Sequence, residues 1–177
     1  MVIKYFAFTL LILSIGAYFV PIENTKKNVI DNNAPVVIFE TPFMYTLDEE
    51  GVKRVIYANS AIKYKDRDEM YNANITLKNL DTKQNFKSET LKADLIVKKE
   101  SKYTLTDNVK YSRDNFIKVN TNELFYDDVK KIADNTKSFD AIYNNHYLKG
   151  DTFYIDINND FAKAKNTHFE IEITKKN

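Results

Sequence analysis

Beyond its first 34 residues the chain alternates apolar and polar positions over short runs, as in Ile75-Thr-Leu77 and Phe169-Glu-Ile-Glu-Ile173. This two-residue period is typical of antiparallel strands with one buried face. Between the runs lie polar segments such as Asp48-Glu-Glu-Gly51 and Asn158-Asn-Asp160, which predict tight turns. The pattern therefore predicts an all-β domain of repeated hairpins. Residues 130–134 are the best candidate for a short helix.

Four similar strings recur about thirty residues apart. Each opens on a large apolar residue, has a polar fourth position and closes on Ser or Thr: Ile56-Tyr-Ala-Asn-Ser60, Phe86-Lys-Ser-Glu-Thr90, Ile117-Lys-Val-Asn-Thr121 and Leu148-Lys-Gly-Asp-Thr152. Such a period indicates a stack of similar units that bury their apolar faces against one another. After the closing Ser or Thr the apolar parity changes, although the first string does not show the change clearly. A parity change requires a bulge or a corner, so we expect long strands that bend once into a second, facing sheet.

The segment from Val2 to Ile22 is apolar, and Lys4 is its single charge. About twenty helical residues span a bilayer, so residues 1–22 are predicted to form a single transmembrane anchor, with the folded part of the chain outside the cytoplasm. A cleavable signal peptide, cut after the small residues of Ser14-Ile-Gly16, is the alternative. Residues 23–34 are polar and without a period, as expected of a juxtamembrane linker, and residues 35–177 have the length of one domain.

Composition argues against several classes of function. The formal net charge of +1 provides no general attraction to nucleic acid, and the absence of cysteine excludes a disulfide framework. His146 and His168 have no partner at metal-ligand spacing, and Asp156-Ile-Asn-Asn-Asp160 lacks the glycine and closing glutamate of a calcium loop. No phosphate-binding glycine loop or nucleophile motif is present. We therefore expect no catalysis, no cofactor, no metal and no nucleic-acid partner.

Several of these segments resemble a known family. Thr106-Asp-Asn-Val-Lys-Tyr111, the run from Phe116 to Asp127 and the run from Tyr147 to Asp156 resemble the repeat of the OstA-like lipopolysaccharide-transport proteins. The apolar N-terminal segment, Tyr45-Thr-Leu-Asp-Glu-Glu-Gly51 and Val55-Ile-Tyr-Ala-Asn-Ser-Ala61 resemble the LptC-type inner-membrane member of that group. The resemblance implies a twisted β-jellyroll of two facing antiparallel sheets. It also implies a single-pass anchor in the inner membrane of a Gram-negative bacterium, with the C-terminal domain in the periplasm.

The resemblance also implies partners. Proteins of this type accept lipopolysaccharide or lipooligosaccharide from an inner-membrane ABC transporter and pass it to a soluble LptA-like bridge. By position, the N-terminal edge that would meet the transporter contains Val36 and Ile38. The C-terminal edge that would meet the bridge contains Phe169, Ile171 and Ile173.

The inward parity of the four strings predicts a lipid-contact groove. Its candidate residues are Ile56, Ala58, Phe86, Ile117, Val119 and Leu148. The same residues would equally form an ordinary sandwich core, which leaves a protein-only structural adaptor as an alternative. A soluble bridge protein is the other alternative if the N-terminal segment is removed. Gly150 lies where the family often has a glycine, but the equivalent positions in the other three strings are Ala58, Ser88 and Val119, which argues against a need for glycine there.

Overall fold

The described part of the chain folds as antiparallel β-structure. In this computed structural model the described residues are 33–49, 51–79, 86–114 and 116–171. Within them fourteen strands form one hydrogen-bonded sheet, and every strand pairing is antiparallel. The strands are β1 (Val37–Glu40), β2 (Phe43–Asp48), β3 (Gly51–Tyr57), β4 (Ser60–Lys63), β5 (Asp68–Lys78), β6 (Ser88–Lys99), β7 (Lys102–Arg113), β8 (Ile117–Asp127), β9 (Ile132–Asp134), β10 (Phe139–Tyr143), β11 (His146–Gly150), β12 (Thr152–Asp156), β13 (Phe161–Lys165) and β14 (His168–Glu170). The predicted all-β, antiparallel fold is confirmed.

The predicted membrane anchor, residues 1–22, lies outside the described residues, as does most of the predicted linker. In the ranges given above, nothing helical has the length and apolar character that a bilayer requires. The boundaries predicted for the anchor, the linker and the domain stay predictions.

Residues 130–134, the best candidate for a short helix, are not helical. Asp127 ends β8, and its carboxylate Oδ1 accepts hydrogen bonds from the backbone N–H groups of Val129 and Lys130 at 3.1 and 3.0 Å. This bonding supports a turn rather than a helix, because the side chain satisfies the backbone donors locally. Residues 132–134 then form β9, which pairs with β8 and β12.

A line of breaks and bulges divides the sheet into two half-sheets, and we call it the fold line. The first half-sheet has the order β1-β4-β5-β6-β7-β8-β9-β12-β13, and the second has the order β2-β3-β5-β6-β7-β8-β10-β11-β14. Strands β5 to β8 cross the line and belong to both half-sheets. At the other strands the β-structure is interrupted at the line, as at Thr41-Pro42 between β1 and β2.

Asparagine and aspartate are concentrated at the fold line. Asn72, Asp107, Asn108 and Asn166 all have positive φ, between 47° and 59°. Asn and Asp enter this left-handed region more readily than other residues with a side chain, so they supply the local kinks. The Asn108 amide also donates to the Asp94 carboxylate on the neighbouring strand at 2.6 Å. The fold line is thus encoded by residue type as well as by packing.

At the fold line, strands change which parity faces inward. In β6, Ala93 and Ile96 are both buried although they are three residues apart, and the register with β7 shifts at this point. In β5, Ala73 belongs to the buried core, and Met70, three residues earlier, packs against that core. An extra residue in the strand flips the side-chain alternation, so both half-sheets direct apolar residues to the same interior.

The core lies against the fold line. Its buried members come from both half-sheets: Ala58, Ala73, Ala93, Ile96, Leu105 and Val109. Farther along the chain Phe139 of the second half-sheet meets Phe153 of the first, with ring centroids 5.1 Å apart in an edge-to-face arrangement. These contacts pack the two inner faces together near the fold line, while residues farther out along the strands are mostly only partly buried.

The structure corrects the alignment of the four strings. Strands β3, β6, β8 and β11 all reach the fold line in the same direction, and the last inward residues before the line are Ala58, just after β3, and Ala93, Thr121 and Gly150. Each of these short residues is followed by Asn or Asp. The equivalents of Gly150 are therefore not Ser88 and Val119. The first string does change parity, between Ala58 and Ala61, which are both buried.

Gly150 has no room for a side chain. A Cβ atom at this position would lie 2.9 Å from the backbone oxygen of Lys165 and 2.9 Å from Cε1 of Phe139. We expect Gly150→Ala to destabilise the protein by about 1–3 kcal/mol, because a backbone atom must move. Thermal unfolding of the full-length protein, followed by circular dichroism, measures the loss. Lys149→Ala is the control, since the neighbouring side chain is exposed and should change stability by less than about 0.5 kcal/mol. Equal melting temperatures for the two variants would contradict this account.

Candidate functional site

The inner face of the second half-sheet carries an unbroken apolar row, which we call the middle row. Each of its strands contributes one residue, and successive residues are direct cross-strand partners. From one edge to the other they are Met44, Ile56, Ile75, Leu91, Tyr111, Val119, Ala141, Leu148 and Phe169. The row is continuous because the two-residue alternation is in register across all these strands.

Three of the predicted groove residues, Ile56, Val119 and Leu148, lie in the middle row. Ala58 lies at the fold line and is fully buried, so it packs in the core. Ile117 lies one step farther from the fold line, as the direct partner of Arg113. The structure therefore places these residues on one inner face, at different depths.

Phe86 lies apart from this row, just before β6. Its ring is under the guanidinium of Arg113, with Cζ 4.4 Å from the ring centroid. The prediction placed Phe86 in an apolar strand position, whereas its main described contact is with a cation. The second string therefore marks the beginning of a strand rather than the fold line.

The sequence strings missed the members of the middle row that lie on the strands running in the opposite direction. Ile75, Tyr111 and Ala141 are examples, each a direct partner of a neighbouring row residue. These positions alternate correctly within their own strands, as in Asn74-Ile75-Thr-Leu77. What the sequence lacks is the register that joins one strand to the next. Hairpin turn lengths are the signal that could have supplied it.

Beyond the middle row, away from the fold line, charged residues appear on the inner face among apolar ones. We call this next step the rim row, and it contains Thr46, Arg54, Leu77, Glu89, Arg113, Ile117, Tyr143 and His146. Oε1 of Glu89 accepts hydrogen bonds from the Tyr111 hydroxyl at 2.6 Å and from Arg113 Nε at 2.7 Å, and it forms an ion pair with Arg113 Nη2 at 2.6 Å. Burial, reinforced by the Glu89 hydrogen bond, raises the pKa of Tyr111, so its hydroxyl remains a donor.

The sheet ends in edge strands at both sides. In the described chain β1 and β2 each pair on one side only at the N-terminal side, as do β13 and β14 at the C-terminal side. The predicted edge residues Val36 and Ile38 are 56% and 55% exposed, and Phe169 and Ile171 are 53% and 62% exposed. Ile173 lies outside the described residues. Apolar residues on unpaired strands are suited to pairing with another chain.

The outer face of the second half-sheet has different chemistry. A cavity of about 480 Å³ there is lined mainly by polar side chains, among them Lys110, Asn120, Asp140 and Lys149. The Asn120 amide donates to the Asp140 carboxylate across its floor at 2.7 Å. Within the described ranges, no cluster of His, Asp or Glu is arranged to hold a metal ion. The apolar middle row thus lies on the inner face, whereas this part of the outer face is polar.

The fold and this inner face define an all-β protein with two half-sheets, an apolar interior and unpaired edges at both ends. The sequence matches the family described as lipopolysaccharide-assembly, LptC-related, over residues 6–151. The chain belongs to this family, and the membership supports a role in lipopolysaccharide transport. The predicted kinship is confirmed.

Solved structures and curated protein sequences provide two further comparisons. Among solved structures the chain is similar to LptH of Pseudomonas aeruginosa, described as the LptA homologous periplasmic component of the conserved lipopolysaccharide transport device. That similarity has a TM-score of 0.34 and 10% identity, and it covers 81% of this chain and 99% of LptH. A comparison with curated protein sequences finds no match. The family match carries the assignment.

Asp114 anchors the strand that contains Glu89, and this predicts a pH dependence. Its carboxylate accepts the backbone N–H groups of Lys87 and Ser88 at 2.8 and 2.9 Å, and these bonds lower the pKa of Asp114. A lowered folded-state pKa stabilises the fold above the unfolded pKa of about 4, and the contribution is lost as pH falls through the folded value. We expect Asp114→Asn to be less stable than the native protein at pH 6 and the difference to shrink below about pH 4. Urea unfolding at each pH measures it, and parallel pH profiles would contradict the assignment.

Proposed function

We propose that this chain is a non-catalytic, inner-membrane-anchored component of the lipopolysaccharide export machinery, with its β-domain in the periplasm. It accepts lipopolysaccharide or lipooligosaccharide from the ABC transporter on the inner face of its second half-sheet and passes it to a periplasmic bridge protein. The observation that carries this proposal is the middle row, which offers apolar contact from one edge strand to the other.

The energetics of acyl chains make such a row useful. Exposing a chain to water costs about 0.8 kcal/mol per methylene, so a carrier must replace water along the whole route. Val119 and Leu148 are only partly buried, so their side chains retain surface for an acyl chain. Fully buried residues such as Ala58 support this surface from below.

The edge strands supply the partner contacts in this proposal. The N-terminal edge, with Val36 and Ile38, meets the transporter, and the C-terminal edge, with Phe169, Ile171 and Ile173, meets the bridge. Strand addition satisfies the unpaired N–H and C=O groups of an edge strand and continues the sheet into the partner. The middle row begins on β2, the other edge strand of the N-terminal side, and ends on β14, so strand addition at β2 and β14 would extend it into both partners.

A protein-only adaptor is the second candidate, and the filled core favours it. Ile96, Leu105 and Val109 are at most 2% exposed, so the space near the fold line has no room for lipid. If the protein is such an adaptor, the middle row and the rim row would also be closed to lipid in the assembled complex. A soluble bridge protein would require removal of the N-terminal segment. The intact mass of the mature protein shows whether that segment is retained.

A photo-crosslinking amino acid distinguishes a lipid carrier from an adaptor. We expect a probe at Val119 or Leu148 to capture lipopolysaccharide while the transporter hydrolyses ATP, because both positions face inward. Probes at Lys118 and Lys149 are matched controls, since each is adjacent to a probe position on the same strand and faces outward. Capture at the controls alone, or at no position, would favour the adaptor.

The two edges can be tested separately with single lysines. We expect Ile38→Lys to weaken binding to the transporter by about tenfold, because burying an apolar side chain contributes about 1.5–3 kcal/mol. Binding to the bridge should stay unchanged in this variant. Ile171→Lys should have the opposite pattern. Binding of the purified partners, measured by biolayer interferometry, provides both affinities, and equal losses at both partners would contradict separate edges.

A further inference from the structure

Two cations of a single hairpin lie on the inner faces of opposite half-sheets. Strands β6 and β7 form this hairpin and cross the fold line together. Lys98 is near the end of β6 in the first half-sheet, two residues beyond buried Ile96. Arg113 ends β7 in the second half-sheet, four residues beyond buried Val109. Because alternate residues share a face, both side chains project from the inner faces.

An aromatic ring lies beside each cation. The Lys98 ammonium is 5.8 Å from the centroid of the Tyr103 ring, its direct partner on β7. The Arg113 guanidinium carbon is 4.4 Å from the centroid of Phe86. Both separations are within the range of cation–π attraction, which positions the charges beside the apolar surface. Arg113 is also only 35% exposed, so it differs from a freely solvated surface cation.

The charges on these two faces are not fully balanced. Glu89 binds Arg113 along the edge formed by Nε and Nη2, which leaves the edge formed by Nη1 and Nη2 to other acceptors. Asp68, the direct partner of Lys98 on β5, is bound instead by Lys63 at 2.9 Å. In the part of the chain that the structure describes, no carboxylate forms an ion pair with Lys98. Each inner face can therefore offer one cation to an anionic group: an ammonium on the first half-sheet and a guanidinium edge on the second.

The positions of the cations match the polarity of an amphiphile. Arg113 is about 13 Å and Lys98 about 7 Å along the strand from their buried core neighbours, at 3.3 Å per residue. The middle row lies between Arg113 and the fold line. An amphiphile with its acyl chains on the apolar rows would therefore have its polar head beside these two side chains.

We propose that Lys98 and Arg113 bind phosphate groups on the head of the amphiphile whose acyl chains occupy the middle row. A guanidinium edge matches two phosphate oxygens, and an ammonium attracts a phosphate as a point charge. Glu89, Tyr111 and Phe86 hold the guanidinium in place. This inference rests on the proposed function and adds to it that the carrier selects phosphorylated lipids.

The test compares lipid A with its dephosphorylated form, which has the same acyl chains. Binding to the full-length protein in detergent is measured for the native protein, for Lys98→Met and for Arg113→Met combined with Glu89→Gln. The double variant avoids an unpaired carboxylate on the inner face. Lys92→Met and Lys110→Met are matched controls, because they are direct partners in the same hairpin on its outer face.

We expect each inner-face variant to lose about tenfold in affinity for lipid A, a typical effect of removing a charged hydrogen-bond partner. Affinity for the dephosphorylated lipid should change by less than about twofold, and the outer-face controls should bind both lipids as the native protein does. Unchanged binding of lipid A to Lys98→Met, or equal losses for both lipids, would overturn the phosphate site and leave the carrier intact. Failure of the native protein to bind either lipid would overturn both proposals.

Inorganic phosphate distinguishes a head group from a free anion. The lipid is also held by its acyl chains, so excess inorganic phosphate should displace it only partly from the native protein. Complete displacement would show a site for the free anion and would contradict the assignment to a lipid head.

Discussion

The structure depends on the parity change that strands undergo at the fold line. Without the added residue in strands such as β6, a strand that directs apolar residues inward in one half-sheet would direct them to solvent in the other. Ala93 and Ile96 show the constraint directly, because both are buried although they are three residues apart. Asn and Asp at the line accept the positive φ angles that this change requires. The positions of the core, the middle row and the rim row all depend on this parity change.

Small residues at the fold line set the distance between the two walls. Ala58, Ala73 and Ala93 let the strands approach where the sheet folds, and Gly150 lies against the Phe139 ring and the Lys165 backbone. Side-chain size increases along the inner face to Ile, Leu and Tyr in the middle row. Polarity changes next, at Glu89 and Arg113. On β3, β6 and β7 the inner face therefore passes from small to large and then from apolar to charged within a few residues.

Local features of the fold could be predicted from the sequence, and long-range ones could not. The alternation around Ile56, Val119 and Leu148 correctly predicted their shared inner face, because strand parity is a local property. The bend of β6 was misplaced at Thr90 because Asp94 is followed by Leu95 rather than by Ser or Thr. Lys98 and Arg113 resemble ordinary solvated side chains in the sequence. Only the cross-strand register places them beside Tyr103 and Phe86, and register depends on pairings between distant segments.

The fold line also interrupts both edges of the sheet, with a consequence for any partner. Each side ends in two short strands of three to six residues, β1 and β2 at one side and β13 and β14 at the other. A flat strand from another protein can lie along one member of such a pair but cannot follow both, because Thr41-Pro42 and Asn166-Thr167 separate them. A partner whose own sheet also bends at the level of the fold line can pair with both edge strands of one side at once. The interrupted edges thus disfavour flat, fibril-like stacking and favour binding to partners with a matching bend.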